Sequence, residues 1–246
     1  MSVASAREPR EVAELANATA PHLVTEVPGP QALARIERDR RVTSPSLPRA
    51  YPLVPRRGSG SVIEDVDGNR FLDLNAGIAV TSTGHAHPAV VRAVRDQAGE
   101  LLHYSASDFY LPIYSDVCEQ LDRIAPFAGR ARSFLTNSGT EAVEGAIKLA
   151  RYATGRQYVI AMIGSIHGRS YGSVSLTASK ARYRAGFGPL LPGVHHAVFG
   201  DRQHLDVLFE RLVSPTEVAA IVVEPILGEG GYVLPPDGLL PYLREV

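Results

Sequence analysis

The apolar run Val218-Ala219-Ala220-Ile221-Val222-Val223, followed at once by Glu224-Pro225, constrains this chain more than any other stretch. An unbroken apolar run of strand length reads as a strand covered on both faces, the kind found in parallel sheets. Pro225 cannot continue a hydrogen-bond ladder, so the chain leaves the sheet there and Glu224 stands at the exit.

The sequence before that run alternates between helical and strand patterns. Pro88 suits a first helical position, and Val90, Val91, Val94, Ala98, Leu101 and Leu102 recur at helical spacing. Further helices are predicted over Pro112 to Ile124, over Thr140 to Thr154 with a stop at Gly155, and from Asp201 as cap through Val213. A last one starts near Gly238 with Pro241 in its first turn. Strands are predicted at Arg132 to Thr136, Tyr158 to Ile163 and Val194 to Phe199. Alternation of this kind implies an α/β fold, a mostly parallel sheet with flanking helices. Upstream, a helix over Gln31 to Arg41 precedes an extended stretch set by Pro45, Pro48, Pro52 and Pro55. Val62 to Leu74 reads as a hairpin about Asp67-Gly68. The division expected is an N-terminal segment over 1–80 and a large domain over 81–246.

With a net charge of −1, no strong field points to nucleic acid or an acidic membrane. No apolar run is long enough to span a bilayer. The N-terminal stretch carries Glu8, Glu11 and Glu14 and no apolar core of signal-peptide length. Cys118 is the single cysteine, which rules out an intrachain disulfide and fits a reducing compartment. A cytoplasmic protein is expected.

Three places hold candidate chemistry. Arg132 to Ala142 reads as strand, Ser138-Gly139-Thr140 turn, then helix, and a helix N-terminus offers unpaired N–H groups to an anion. Ser138 and Thr140 add hydroxyls, and Gly139 permits close approach. Simple helix capping explains the same residues without a ligand. The loop Ile166-His167-Gly168-Arg169 follows a strand's carboxyl end, where α/β folds place ligands. Arg169 suits a carboxylate, although a surface charge would look alike. Glu224 and Glu229, the latter within Gly228-Glu229-Gly230-Gly231, are carboxylates at a strand exit and read as acid–base groups, as partners for cations or as solvated loop residues. Nucleotide motifs fail, because no G-x-x-x-x-G-K-[ST] occurs and neither Gly58-Ser59-Gly60 nor Gly186-Phe187-Gly188 completes the dinucleotide spacing. His85 and His87 find no further ligands in pattern, so no metal is expected.

In combination the segments resemble the class III, pyridoxal 5'-phosphate (PLP)-dependent aminotransferases of fold type I, from about Gly60 to Val246. The resemblance rests on Asn75-Ala76-Gly77-Ile78-Ala79-Val80, Thr83-Gly84-His85-Ala86-His87-Pro88, Asn137-Ser138-Gly139-Thr140-Glu141-Ala142, His167-Gly168-Arg169, Ala185-Gly186-Phe187-Gly188-Pro189 and Glu224 through Gly231. The Gly-Ile-Ala-Val and Ala-Gly-Phe-Gly-Pro stretches look closest to 4-aminobutyrate aminotransferases. The resemblance implies that Ser138, Gly139 and Thr140 bind the PLP phosphate. It implies that Ile166 and His167 lie against the pyridine ring and that Glu224 supports the cofactor region. Ile78, Arg169 and Glu229 would meet substrate, with Arg169 on its remote carboxylate and Glu229 as a switch pairing with an arginine. It also implies a homodimer with active sites at the subunit interface. The position of Ile166 is usually aromatic in the family, and isoleucine forgoes an aromatic pairing worth roughly 0.5–1.5 kcal/mol.

PLP chemistry needs a lysine for the Schiff base. The sequence has two, Lys148 and Lys180, and neither sits in the family's lysine context. The expectation is therefore that the Schiff-base lysine lies beyond Val246, that this chain holds no catalytic residue and that the large domain is incomplete. The activity expected of the parent is transamination of an ω-amino acid such as 4-aminobutyrate with 2-oxoglutarate. An acetylornithine- or ornithine-type aminotransferase or an amino-acid racemase is the alternative on the same fold. A non-catalytic fragment that binds a phosphorylated ligand or a partner is the alternative of another class.

Overall fold

The structure, a computed structural model, describes residues 15, 17–47 and 49–246. The segment bearing Glu8, Glu11 and Glu14, and Pro48, lie outside the described residues. The chain divides into two units, Met1–Tyr110 and Leu111–Val246. The division expected between residues 80 and 81 falls inside the first of them.

In the first unit Pro30 opens helix α1 (Pro30–Val42). The helix has no side-chain cap of its own. Instead the Asp67 carboxylate accepts from the amides of Gln31 at 2.8 Å and Ala32 at 2.9 Å. Strands β1 (Pro55–Ser59), β2 (Val62–Asp65) and β3 (Arg70–Leu72) pair antiparallel in that order. The predicted hairpin is therefore present. The proline-rich stretch adds β1, which its composition did not announce, and Arg57 and Glu64 close that ladder with a 2.7 Å ion pair.

The hairpin turn is built on fully buried Asn69. Its Oδ1 accepts from the amides of Val24 and Thr25, and its Nδ2 donates to Asp65 Oδ2 and Thr25 Oγ1. Asn69→Ala strands these partners, and a buried polar group left unpaired costs about 1–3 kcal/mol. Thermal or urea unfolding is expected to show a loss of that size, whereas an unchanged midpoint would mean water replaces the amide.

After β3 the chain makes a turn over Ala76–Ala79 in the left-handed region, with φ of 50°, 65°, 65° and 59°. Asp73 holds its entrance by accepting from the amides of Asn75 and Ala76 and pairing with His85 Nε2 at 2.6 Å. The His85 hydrogen bond, ahead of those amides, keeps the Asp73 carboxyl below its ordinary range. Helix α2 (Pro88–Glu100) follows. It stops before Leu101 and Leu102, and Val90 and Val94 on its apolar stripe stay exposed.

The second unit begins with helix α3 (Pro112–Ile124). Helix α4 (Gly139–Thr154) ends where Gly155 turns left-handed at φ 67°. Strand β4 (Tyr158–Ile163) is central in a parallel sheet of order β5-β4-β6, with β5 over Val194–Val198 and β6 over Val218–Val222. Side chains alternate across a strand. Val159 and Ala161 therefore meet Ile147 of α4 and Leu176 of helix α5 (Tyr171–Leu176). Ile160 and Met162 face the other way, onto Leu205 and Leu208 of helix α6 (Arg202–Arg211) and a core that Tyr242 and Leu243 of helix α7 (Leu239–Glu245) help to cover. This is the expected α/β layering. Among the described residues no helix is long and apolar enough to cross a membrane.

Two predicted strands differ from the structure. Arg132 to Thr136 forms no strand. A ladder needs a neighbour, and among the described residues none pairs with it; the Leu135 amide donates to the Tyr114 hydroxyl instead, and Phe134 is exposed. The run opening at Val218 is not buried on both faces. It lies at the edge of the three-stranded sheet, so Val218 is buried and Ala219 to Val222 are half-buried, while β4 takes the covered position. Helix α6 also ends two residues short of Val213, which turns into the core.

Candidate active site

Of the nine candidate residues, Ile78 stands in the first unit and the other eight in the second. Ile78 is exposed in the left-handed turn at φ 65°.

Helix α4 opens with Ser138 as its cap, Oγ accepting from the Glu141 amide, while the Glu141 carboxylate accepts from the Asn137 amide at 2.8 Å. This reciprocal arrangement fixes the turn. Among the described residues the amides of Ser138, Gly139 and Thr140 find no partner. A Cβ placed on Gly139 would meet nothing within 4 Å, so the space over these donors is open. A sixteen-residue helix adds its dipole at this end. The Ser138 hydroxyl is held by Glu141. The Thr140 hydroxyl turns inward, sharing hydrogen bonds with the Ser170 and Ser173 hydroxyls and accepting from the amides of Arg169 and Ser170 at 3.3 Å. The turn therefore leaves its amides open, while one hydroxyl is held within the turn and the other engages residues 169–173.

Through Thr140 the turn is tied to the loop after β4. Gly168 makes that contact possible: its φ is +134°, and a Cβ there would lie 2.3 Å from Thr140 Oγ1 and 2.7 Å from Thr140 Cβ. His167 is anchored by its amide on the Oγ1 of fully buried Thr177. Burial favours the neutral ring and pushes its imidazole below the ordinary histidine range, against the opposing charge of Glu224. Its Nε2 is buried with no hydrogen-bond partner. An orphaned ring nitrogen is uncommon in a folded interior.

Glu224, leaving β6, joins the same loop. One carboxylate oxygen accepts from the Ile166 amide and the other from the Gly228 amide, both at 2.7 Å. Ser138 to Thr140, Ile166, His167, Arg169 and Glu224 are thus brought together by direct bonds or bonds through Thr140. The Arg169 side chain is exposed. Glu229 lies on the small turn closed by the Leu227–Val233 bridge. It accepts from Ser179 Oγ at 2.6 Å, Lys180 Nζ at 2.9 Å and Tyr183 Oη at 2.6 Å. Burial raises its carboxyl, but the three hydrogen bonds and the Lys180 charge outweigh that and bring it down to about 2.

A depressed carboxylate stabilises the fold fully above its ordinary value, 4.5, and loses that contribution as pH falls through about 2. Lys180→Met is expected to move the Glu229 titration, followed by carboxyl-carbon NMR, back up toward 4.5. A titration that does not move would mean Ser179 and Tyr183 suffice. The pairing of Ser179, Lys180 and Tyr183 with Glu229 escaped the sequence reading because they lie about fifty residues away, and so did Glu144. Among the described residues no group of three or more His, Cys, Asp or Glu side chains could hold a metal ion.

Comparison with known proteins gives the family. The family described as "Aminotransferase class-III" matches residues 45–246. A 4-aminobutyrate aminotransferase of Mycobacterium tuberculosis is 40% identical over 241 residues, covering 91% of this chain and 54% of that protein. An alanine/serine racemase of Pyrococcus horikoshii is 34% identical over 249 residues, covering 92% and 52%. The chain thus spans about half the length of the curated relatives it matches. Among solved structures, an ornithine aminotransferase of Toxoplasma gondii with partial occupancy of PLP at its active site superposes with a TM-score of 0.76 at 28% identity, covering 98% of this chain and 54% of that one. A family match over residues 45–246, joined to a parallel-sheet fold whose central strand leads into the His167 loop, places the chain in the class III aminotransferases.

Proposed function

We propose that the whole protein to which this sequence belongs transfers an amino group from an ω-amino acid, 4-aminobutyrate or a close relative, to 2-oxoglutarate, with PLP as its cofactor. The observation that carries the reading is the pairing of partnerless amides at Ser138 to Thr140 with the half-buried imidazole of His167, whose buried Nε2 has no partner, the turn and the loop being held to one another through Thr140. The first suits a phosphate dianion. The second suits the face of an aromatic ring, which asks for no charge. The residues present therefore fit PLP, and the open space at Gly139 leaves room for it.

In this reading the amides of Ser138, Gly139 and Thr140 hold the phosphate. Ile166 and His167 cover the ring, and Glu224 fixes them by holding the Ile166 amide. Arg169, exposed beside this loop, binds the remote carboxylate of the substrate. Glu229 meets another part of the substrate, and Ile78 is read by itself as a substrate-binding residue. When bound, PLP acts as the electron sink for breaking bonds at the amino-bearing carbon. We further read residues 81–246 as the cofactor domain, residues 1–80 as the segment of a smaller one, and the protein as a cytoplasmic homodimer with its active sites at the interface.

Titrating the PLP-loaded whole protein with ω-amino acids is expected to shift the cofactor's absorption from the aldehyde to the amine form. A protein that binds PLP but gives no such shift with any ω-amino acid would overturn the reading. A response confined to ornithine or N-acetylornithine would favour the second reading, and racemisation of an α-amino acid without accumulation of amine would make the protein a racemase. The relatives with those activities keep these alternatives in view.

A further inference from the structure

Glu144 stands outside every motif considered above, yet its carboxylate accepts three hydrogen bonds from the segment after the His167 loop. It lies on α4 one helical turn after Thr140, so both side chains leave the same face. Its Oε1 accepts from the Ser170 hydroxyl, from the Gly172 amide at 2.8 Å and from the Ser173 amide at 3.0 Å. Ser170 and Ser173 are the residues whose hydroxyls engage Thr140. Gly172 leaves room for the carboxylate, since a Cβ there would fall 2.2 Å from Glu144 Oε2.

We infer that Glu144 is a positioning residue: it fixes the spacing between the amide turn that receives a phosphate and the His167 loop that receives a ring. The argument is one of rigid connection. Thr140 holds the loop by a single hydroxyl, which can rotate, and its bonds to the Arg169 and Ser170 amides are long, at 3.3 Å. Glu144 adds two backbone amides and an ionised acceptor, and hydrogen bonds to a charged group are the stronger kind. With both residues in place, α4 and residues 168–173 move as one piece. Without Glu144 the amides of Gly172 and Ser173 lose their acceptor, the loop gains freedom, and the two halves of the cofactor site no longer keep a fixed distance. A ligand that bridges them then pays to restore it, whereas a ligand that uses the turn alone does not.

The inference rests on the proposed PLP site and is tested beside it. Dissociation constants are measured on the PLP-free whole protein for two probes, PLP and inorganic phosphate. In Glu144→Ala, PLP affinity is expected to fall about tenfold, the worth of one charge-assisted hydrogen bond, while inorganic phosphate affinity stays within about twofold by the same measure. Glu144→Gln keeps an Oε1 acceptor without the charge and is expected to restore PLP affinity in part, above that of Glu144→Ala. Gly172→Ala, whose methyl displaces the carboxylate, is expected to reproduce Glu144→Ala in a chain that keeps the charge. Equal losses for both probes would show a merely structural role and overturn the inference. So would unchanged PLP affinity in Gly172→Ala and Glu144→Ala together. Failure of the unaltered protein to bind PLP would overturn the site reading itself, and that outcome appears before any variant is made.

Discussion

Gly168→Ala is expected to remove tight PLP binding and to destabilise the second unit together. Two independent effects act at this residue. The backbone sits at φ +134°, a region almost closed to residues with a Cβ, and holding one there costs roughly 1–3 kcal/mol. The new methyl would also overlap Thr140 Oγ1 at 2.3 Å, Ser173 Oγ at 2.5 Å and Thr140 Cβ at 2.7 Å. The hydroxyls can rotate away, but Thr140 Cβ is fixed to helix α4, so helix and loop must part; overpacking of this kind costs about 1–3 kcal/mol more. Gly139→Ala is the matching control. Its Cβ meets nothing within 4 Å, so the midpoint of unfolding is expected to stay near that of the parent, while the methyl narrows the space over the amides and weakens PLP. Thermal unfolding and PLP titration of both variants separate fold from site. A Gly168→Ala protein with the parent's midpoint would show that the loop does not need its contact with Thr140.

How far the sequence alone reaches follows from how local each signal is. Strand β4 was legible because its run of apolar residues is bounded by Gly155 and Gly164 and its alternate residues serve two cores. The turn at Ser138 was legible because cap, glycine and Glu141 all lie within four residues. Helices α3 and α4 and the Asp67-Gly68 turn follow from the same short-range chemistry. The failures are of another kind. Whether Arg132 to Thr136 becomes a strand, or whether β6 is covered on both sides, depends on neighbours that no local pattern names. The left-handed turn at Ala76–Ala79 has a single glycine, so nothing in its composition asks for consecutive positive φ angles. In the site, the ring loop and Glu224 were found as separate suspects, but the bond between the Ile166 amide and Glu224 spans 58 residues. Glu144 was invisible for the same reason: on a helix it reads as one more solvent-facing carboxylate until Gly172 and Ser173 arrive.

Ile160→Ala is expected to cost the fold about 2–5 kcal/mol, the range for emptying a fully buried branched side chain. Ile160 has no exposed surface, and its cluster with Met162, Ala197, Leu205, Leu208, Val213 and Val218 draws on the three strands of the parallel sheet, on α6 and on the residues just beyond it. Each neighbour is anchored by its own element, so the cavity has little means to collapse. Ile163, three residues on in the same strand, is 47% exposed, and its truncation is expected to cost less than about 1 kcal/mol by the area it buries. The comparison bears on function because β4 leads directly into the loop that holds His167. In Ile160→Ala, molecules that remain folded keep that loop in place, since its bonds run to Thr140, Thr177 and Glu224 and not to Ile160. PLP affinity per folded molecule should therefore stay close to the parent's while the urea midpoint falls. A comparable loss from both isoleucines would place the core elsewhere. A loss of PLP affinity with an unchanged midpoint would mean that the buried face of β4 shapes the site directly rather than through stability.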